Sequence, residues 1–183
     1  MELWDLYDEN RIKLGKTMIR GDKQPEGVYR IVVHACIFNP NGEMLIQQRQ
    51  PFKSGWSNLW DVTVGGSAIA GDDSRSAIER ELYEELGLKM SFEGVLPALT
   101  LTPDGVFDDF YIAVRDDIDI SSLKLQYSEV QGVKWASRDE IISLIREGSF
   151  IPYSESFIDF LYHLRDYKRA LTDIDRTVQT LEP

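Results

Sequence analysis

Three glutamates, Glu81, Glu84 and Glu85, stand within five residues of one another and directly follow Arg80. Upstream the chain reads Gly66-Ser67-Ala68-Ile69-Ala70-Gly71-Asp72, and the acidic run closes on Gly87-Leu88. Like charges crowded on one stretch of helix are unfavourable unless a cation joins them. At ~100° per residue the three carboxylates share one helical face of ~100° width. Hard oxygen donors in that number suit Mg²⁺ or Mn²⁺, and the segment lacks the thiolates of a structural zinc site. A lone Glu-Glu pair is ordinarily a solvated surface. A glycine loop, Arg80 and Gly87 all in register with it argue for a cation site instead.

The elements around this run must hold it in place. Asp72, Asp73 or Ser74 can cap a helix start, and Gly87 stands where a left-handed C-terminal cap belongs. Ala77, Ile78, Leu82 and Leu86 form an apolar stripe. The spacing predicts a helix over Ser74 to Leu86, one side packed on a sheet and the adjoining side presenting carboxylates to a cleft. Before it, Glu2 to Tyr7 and Leu14 to Ile19 read as an N-terminal hairpin, and Tyr29 to Phe38 as a long β-branched strand. Asn39-Pro40-Asn41-Gly42 is a turn, and Glu43 to Arg49 alternates as a strand. After it, Phe92 to Leu101 and Val106 to Val114 read as a strand pair, followed by a strand over Glu129 to Ala136. Ser137 and Glu140 have capping-box spacing for a helix ending at Gly148. Residues 154 to 170 repeat apolar positions at helical spacing. The expected architecture is one mixed α/β domain over residues 1–170, a sheet layered between helices, with residues 171–183 as a polar tail.

Composition bounds the function. The 183 residues are 43% hydrophobic, enough for one domain with a full core. A net charge of −11 argues against long nucleic acid as a partner, which needs a basic face. A small anionic ligand remains compatible where metal ions and local cations neutralise it. The single cysteine, Cys36, lies in an apolar run and reads as a buried thiol in a reducing compartment. Neither a signal peptide nor an apolar stretch of membrane-spanning length is evident, so a cytoplasmic location is expected. A homodimer is left open.

The run from Gly66 to Leu88 resembles the Nudix box: glycine, five residues, Glu, seven residues, then Arg-Glu-apolar-x-Glu-Glu-x-Gly-apolar. One fixed place departs, Asp72, where the family has Glu. The resemblance extends over roughly residues 2 to 153. Glu2 to Asp8, Val28 to Arg49 with Gln47-Gln48-Arg49, then Lys53 and the tryptophan-rich stretch Trp56 to Asp61 are similar to the branch containing isopentenyl diphosphate isomerase and its hydrolase relatives. What this implies is a Nudix-type α/β/α sandwich with a mixed central sheet, and attack of water on a phosphorus of a diphosphate joined to some group X. The implied partner is a small-molecule diphosphate, with no long nucleic acid and no membrane. The implied cofactor is Mg²⁺ or Mn²⁺, held by Glu81, Glu85 and Glu84 with the Gly65 carbonyl. Arg80, Asp72 and Gly66 would support that site, and Glu84 or Glu85 would orient water as base. Arg49 and Lys53 are the expected phosphate cations, and Asp108 and Asp109 are candidates for a ligand or base outside the box.

Two departures matter. The isomerases carry a catalytic cysteine and a metal-binding histidine in the loop before the box. Here that loop, Asn58 to Gly66, has neither, and the histidines are His34 and His163. Asp72 is one methylene shorter than the family glutamate, so the contact it makes is expected to weaken or the loop to shift. An isomerase-like enzyme and a catalytically weakened binding module are the alternatives to a hydrolase.

Overall fold

The computed structural model describes residues 2–166. The expected tail over 171–183, and the end of the helix expected to reach residue 170, lie outside the described residues. Strands β1 (Leu3–Tyr7) and β2 (Lys13–Ile19) form an antiparallel hairpin. The main sheet contains β3 (Arg30–Phe38), β4 (Met44–Arg49), β5 (Trp60–Asp61), β6 (Val64–Ser67), β7 (Leu99–Leu101), β8 (Val106–Val114) and β9 (Val130–Ala136). It is mixed: β3 runs parallel to β8 and antiparallel to β6. Strands β3 and β4 meet at Phe38 and Met44, then part, β3 taking β6 and β4 taking β5 and β9.

Helix α1 (Ser74–Leu86) covers one face of the sheet, and α2 (Arg138–Arg146) and α3 (Glu155–Asp166) cover the other. The period of two along β3 divides the core. Val33, Ala35 and Ile37 pack with Ala77, Ile78, Leu82 and Leu86 of α1, whereas Cys36 and Phe38 pack with Ile141, Ile142, Ile158 and Leu161. Layers of helix, sheet and helix are therefore what the alternation produces. Helix α1 starts at Asp73, whose carboxylate accepts from the Ser76 N–H while the Ser76 hydroxyl accepts from the Asp73 N–H. It stops at Gly87, whose φ of 67° a side chain would resist.

Two expectations differ from the structure. The strand expected over Phe92 to Leu101 is confined to Leu99–Leu101. Val95 N–H donates to the Phe92 carbonyl and closes a turn, and Pro97 has no N–H to give a sheet ladder. The tryptophan-rich stretch in turn contains the short strand β5 and is followed by β6, and the two-residue length of the first and the glycines of the second leave no alternating pattern to read. Cys36 is buried, and burial pushes its thiol well above the usual range.

Candidate active site

Glu81, Glu84 and Glu85 face a cavity of about 220 Å³ that also reaches Gly65, Gly66 and Arg80. Its far wall is cationic and acidic by turns: Arg20 and Glu2 from the hairpin, Arg49 at the end of β4 and Lys53 after it, and Glu129 before β9. The helix phase creates this arrangement, since the same turn that buries Leu82 and Leu86 carries the carboxylates to the adjoining side.

The three carboxylates are not equivalent. Glu85 is only 4% exposed, and its Oε2 accepts from the Gln47 amide on β4 at 2.9 Å. Burial, reinforced by the neighbouring Glu81, pushes its carboxyl up to about 8. Glu81 is also raised, by burial first, with Arg80 pulling the other way. Glu84 is about half exposed and accepts from Arg80 Nη1 at 3.0 Å.

Arg80 gathers the site. Its Nη1 donates to Glu81 at 2.9 Å and to Glu84, its Nη2 to the Ser67 carbonyl at 3.0 Å, and its Nε to Asp72 at 3.0 Å. Asp72 thus reaches Arg80 despite its shorter side chain. Strand β6 passes so close beneath that a Cβ on Gly66 would fall on the Glu81 carboxyl group. One on Gly65 would stand 2.6 Å from His34 Nδ1 on the opposite face.

Among the described residues no three His, Cys, Asp or Glu groups are already drawn about one point. Arg80 holds Glu81 and Glu84, and Gln47 holds Glu85. A divalent cation nonetheless suits what is here: oxygen donors only, two of them partly desolvated and mutually repelling, with glycine backbone alongside.

The outer cations are near the cavity in different states. Lys53 pairs with Glu129, while Arg49 donates Nε to the Gly55 carbonyl at 3.3 Å and lies 4.0 Å from Asp61. Asp108 and Asp109 are not brought to the carboxylate cluster. Asp109 is fully buried at the first residue of α1, where it accepts from Arg11, Ser74 and Thr100. Asp108 lies on the face opposite α1, its Oδ1 3.0 Å from His34 Nε2. The cause is strand alternation: adjacent residues of β8 point to opposite faces, and neither points at the cavity.

Sequence reasoning passed over Glu129, Gln47, Glu2 and Arg20 as site residues. Gln47 was within reach, because alternation places it on the side of β4 shared with Arg49. Glu2 and Arg20 become neighbours only through the hairpin register, in which Leu3 opposes Ile19. Glu129 comes to the cavity through a loop, which no period encodes.

A layered mixed sheet with a carboxylate-bearing helix against a glycine strand is the arrangement that comparison with known proteins assigns to the Nudix fold. A sequence model of the NUDIX domain matches residues 28–156. An uncharacterised Nudix hydrolase of Listeria monocytogenes is 41% identical over 91% of this chain and 96% of its own length. The isopentenyl-diphosphate Delta-isomerase of Pectobacterium atrosepticum is 29% identical over 74% of this chain and 76% of its own. A crystal structure from Deinococcus radiodurans superposes with a TM-score of 0.68 at 23% identity, covering 88% of this chain and 98% of that one, a likeness of fold. The chain belongs to the Nudix family and is a Nudix hydrolase. Nudix hydrolases act on small molecules and generally use divalent metals. Among the described residues no helix is long and apolar enough to cross a membrane.

Proposed function

We propose that this protein hydrolyses a phosphoanhydride in a nucleoside-diphosphate derivative or another organic diphosphate, with Mg²⁺ or Mn²⁺ as cofactor. The observation that carries the reading is the shared cavity: three carboxylates of α1 against Gly65 and Gly66, opposite Arg20, Arg49 and Lys53. Glu81, Glu85 and Glu84, with the Gly65 carbonyl, would hold the metal, which neutralises pyrophosphate oxygens and acidifies water when bound. Arg49 and Arg20, through their planar forks, and Lys53, as a point charge, orient the diphosphate. Arg80 does not meet the substrate; it fixes Glu81 and Glu84 relative to Asp72 and Ser67. Glu84, Glu85 and Glu129 are the groups able to accept the proton of the attacking water, and Lys53 pairs with Glu129 at the edge of the cavity.

The isomerase alternative is disfavoured by chemistry. The loop from Asn58 to Gly66 has neither the cysteine nor the histidine of the isomerases, and Cys36 is buried on the far side of the sheet. A weakened binding module would follow from a loose Asp72, whose bond to Arg80 argues for a working site. The test is a panel of nucleotides and organic diphosphates with Mg²⁺ and Mn²⁺, monitored for phosphate and pyrophosphate. Metal-dependent release from one or more members is expected. No turnover together with no metal binding by calorimetry would overturn the reading.

A further inference from the structure

The β1–β2 hairpin touches the domain at both ends of α1. At its tip Arg11 adopts φ 63°, a costly value for a residue with a side chain, and sends its guanidinium onto Asp109. Asp109 is wholly buried and also accepts from Ser74, the first residue of α1, so tip and helix start share one carboxylate. The Arg11 guanidinium further lies over the Phe107 ring at 5.3 Å. At the open end Arg20 N–H donates to the Glu2 carbonyl and Arg20 Nη1 to the Glu2 carboxylate at 2.9 Å. Both residues wall the cavity of Glu81, Glu84 and Glu85. Between the ends, the Leu3 carbonyl accepts from Ala70 N–H at 2.7 Å and Asp5 Oδ2 from Gly71 N–H at 2.8 Å. The hairpin is thus a splint along α1, tied to the loop that precedes it.

We propose that this hairpin is a working wall of the diphosphate site and that Arg11 is its positioning residue. By docking on Asp109, Arg11 fixes the far end of the hairpin and with it the Glu2–Arg20 pair at the cavity. The argument is one of charge and leverage. Arg20 lies nine positions along the chain from Arg11, and between them the hairpin is tied to the domain at Leu3, Asp5 and Tyr7, so the contact at the tip sets the tilt of the hairpin, and with it the place of the cation, about those ties. Asp109 left without Arg11 also becomes a buried carboxylate short of its main counter-charge, which drives its surroundings to rearrange. Arg20 is the most exposed of the cavity cations and is held by Glu2 alone among side chains, so its placement depends on the hairpin rather than on the core.

The inference rests on the function proposed above, and calorimetry separates the two. Mg²⁺ alone, then inorganic pyrophosphate with Mg²⁺, are titrated into wild type, Arg11→Ala, Arg11→Lys and Arg20→Ala. Arg11→Ala should weaken pyrophosphate about tenfold and leave Mg²⁺ within about twofold, with Arg11→Lys restoring most of the loss. Arg20→Ala, exposed and distant from Asp109, should show the same pyrophosphate loss with an unchanged melting temperature, which keeps the idea testable where Arg11→Ala does not fold. Unaltered pyrophosphate affinity in Arg20→Ala, or equal losses of Mg²⁺ and pyrophosphate in a folded Arg11→Ala, would overturn it. A wild type that binds neither probe would overturn the proposed function as well.

Discussion

Gln47 donates to Glu85 across 2.9 Å, so a strand of the central sheet holds the most deeply buried carboxylate of the helix. That bond satisfies one oxygen and leaves the charge itself desolvated, with Glu81 adding repulsion. Glu85→Gln removes the charge and keeps an acceptor for Gln47. Turnover should be abolished or strongly reduced and Mg²⁺ affinity should fall, because a neutral amide is a weaker oxygen ligand. Stability without metal should be unchanged or slightly higher. Melting temperature with and without Mg²⁺, alongside turnover, checks this. Equal metal stabilisation and equal rates in variant and wild type would place the site elsewhere.

The raised Glu85 carboxyl fixes a pH dependence. In the unfolded chain a glutamate titrates at about 4.3, whereas here the group is pushed up to about 8. The folded protein therefore holds a proton the unfolded chain has released across that window, and stability falls as pH rises. Its contribution is fully present below about 4.3 and lost above about 8. Metal-free protein should melt at lower temperature at pH 8.5 than at pH 6, and Glu85→Gln should flatten that difference. Mg²⁺ affinity should rise over the same interval, because the ligand must first lose its proton. A metal-free melting profile identical in both proteins would refute the assignment.

The sequence was legible where structure is local. Helix α1 runs from Ser74 to Leu86 as its apolar stripe and Gly87 dictate, and the carboxylates fall on the face that 100° steps require. The two core layers follow from alternation along β3. What could not be read depends on contacts between distant residues. Asp109 looks like a strand-edge acid until Arg11, 98 residues away, arrives on it. Glu129 looks like the start of a strand until Lys53 draws it to the cavity. Residues 92 to 98 carried enough apolar character for a strand, but a turn and Pro97 outweighed it.

Leu82 tests the helix phase apart from chemistry. Its side chain is fully buried against Val33, Ala35 and Ile78. Leu82→Ala should cost roughly 2–5 kcal/mol in denaturant unfolding, the transfer term plus the cavity left behind. A change within measurement error would mean that this face of α1 is exposed.

Gly66 tests the close approach of β6 to the helix. A methyl group there would fall on the Glu81 carboxyl, which is a flexible end and can swing aside. Gly66→Ala should therefore fold, displace Glu81 from its bond to Arg80, and lose Mg²⁺ affinity and turnover together. Unchanged metal affinity by calorimetry in a folded variant would show that Glu81 can take another rotamer without consequence.

Arg80 tests whether the carboxylates need a rigid holder. Its guanidinium makes four bonds at once, to Asp72, Glu81, Glu84 and the Ser67 carbonyl, in a planar geometry that an ammonium cannot copy. Arg80→Lys keeps the charge and loses the fork. Partners of this kind, which orient ligands rather than touch the reacting atoms, typically contribute about 10–100-fold in metal affinity or activity. Arg80→Lys should therefore lower kcat by a factor in that range, with KM for the diphosphate little changed. The split between the two constants carries the test. A variant with unchanged kcat and a raised KM would mean that Arg80 binds substrate directly, since uniform binding alone had been removed.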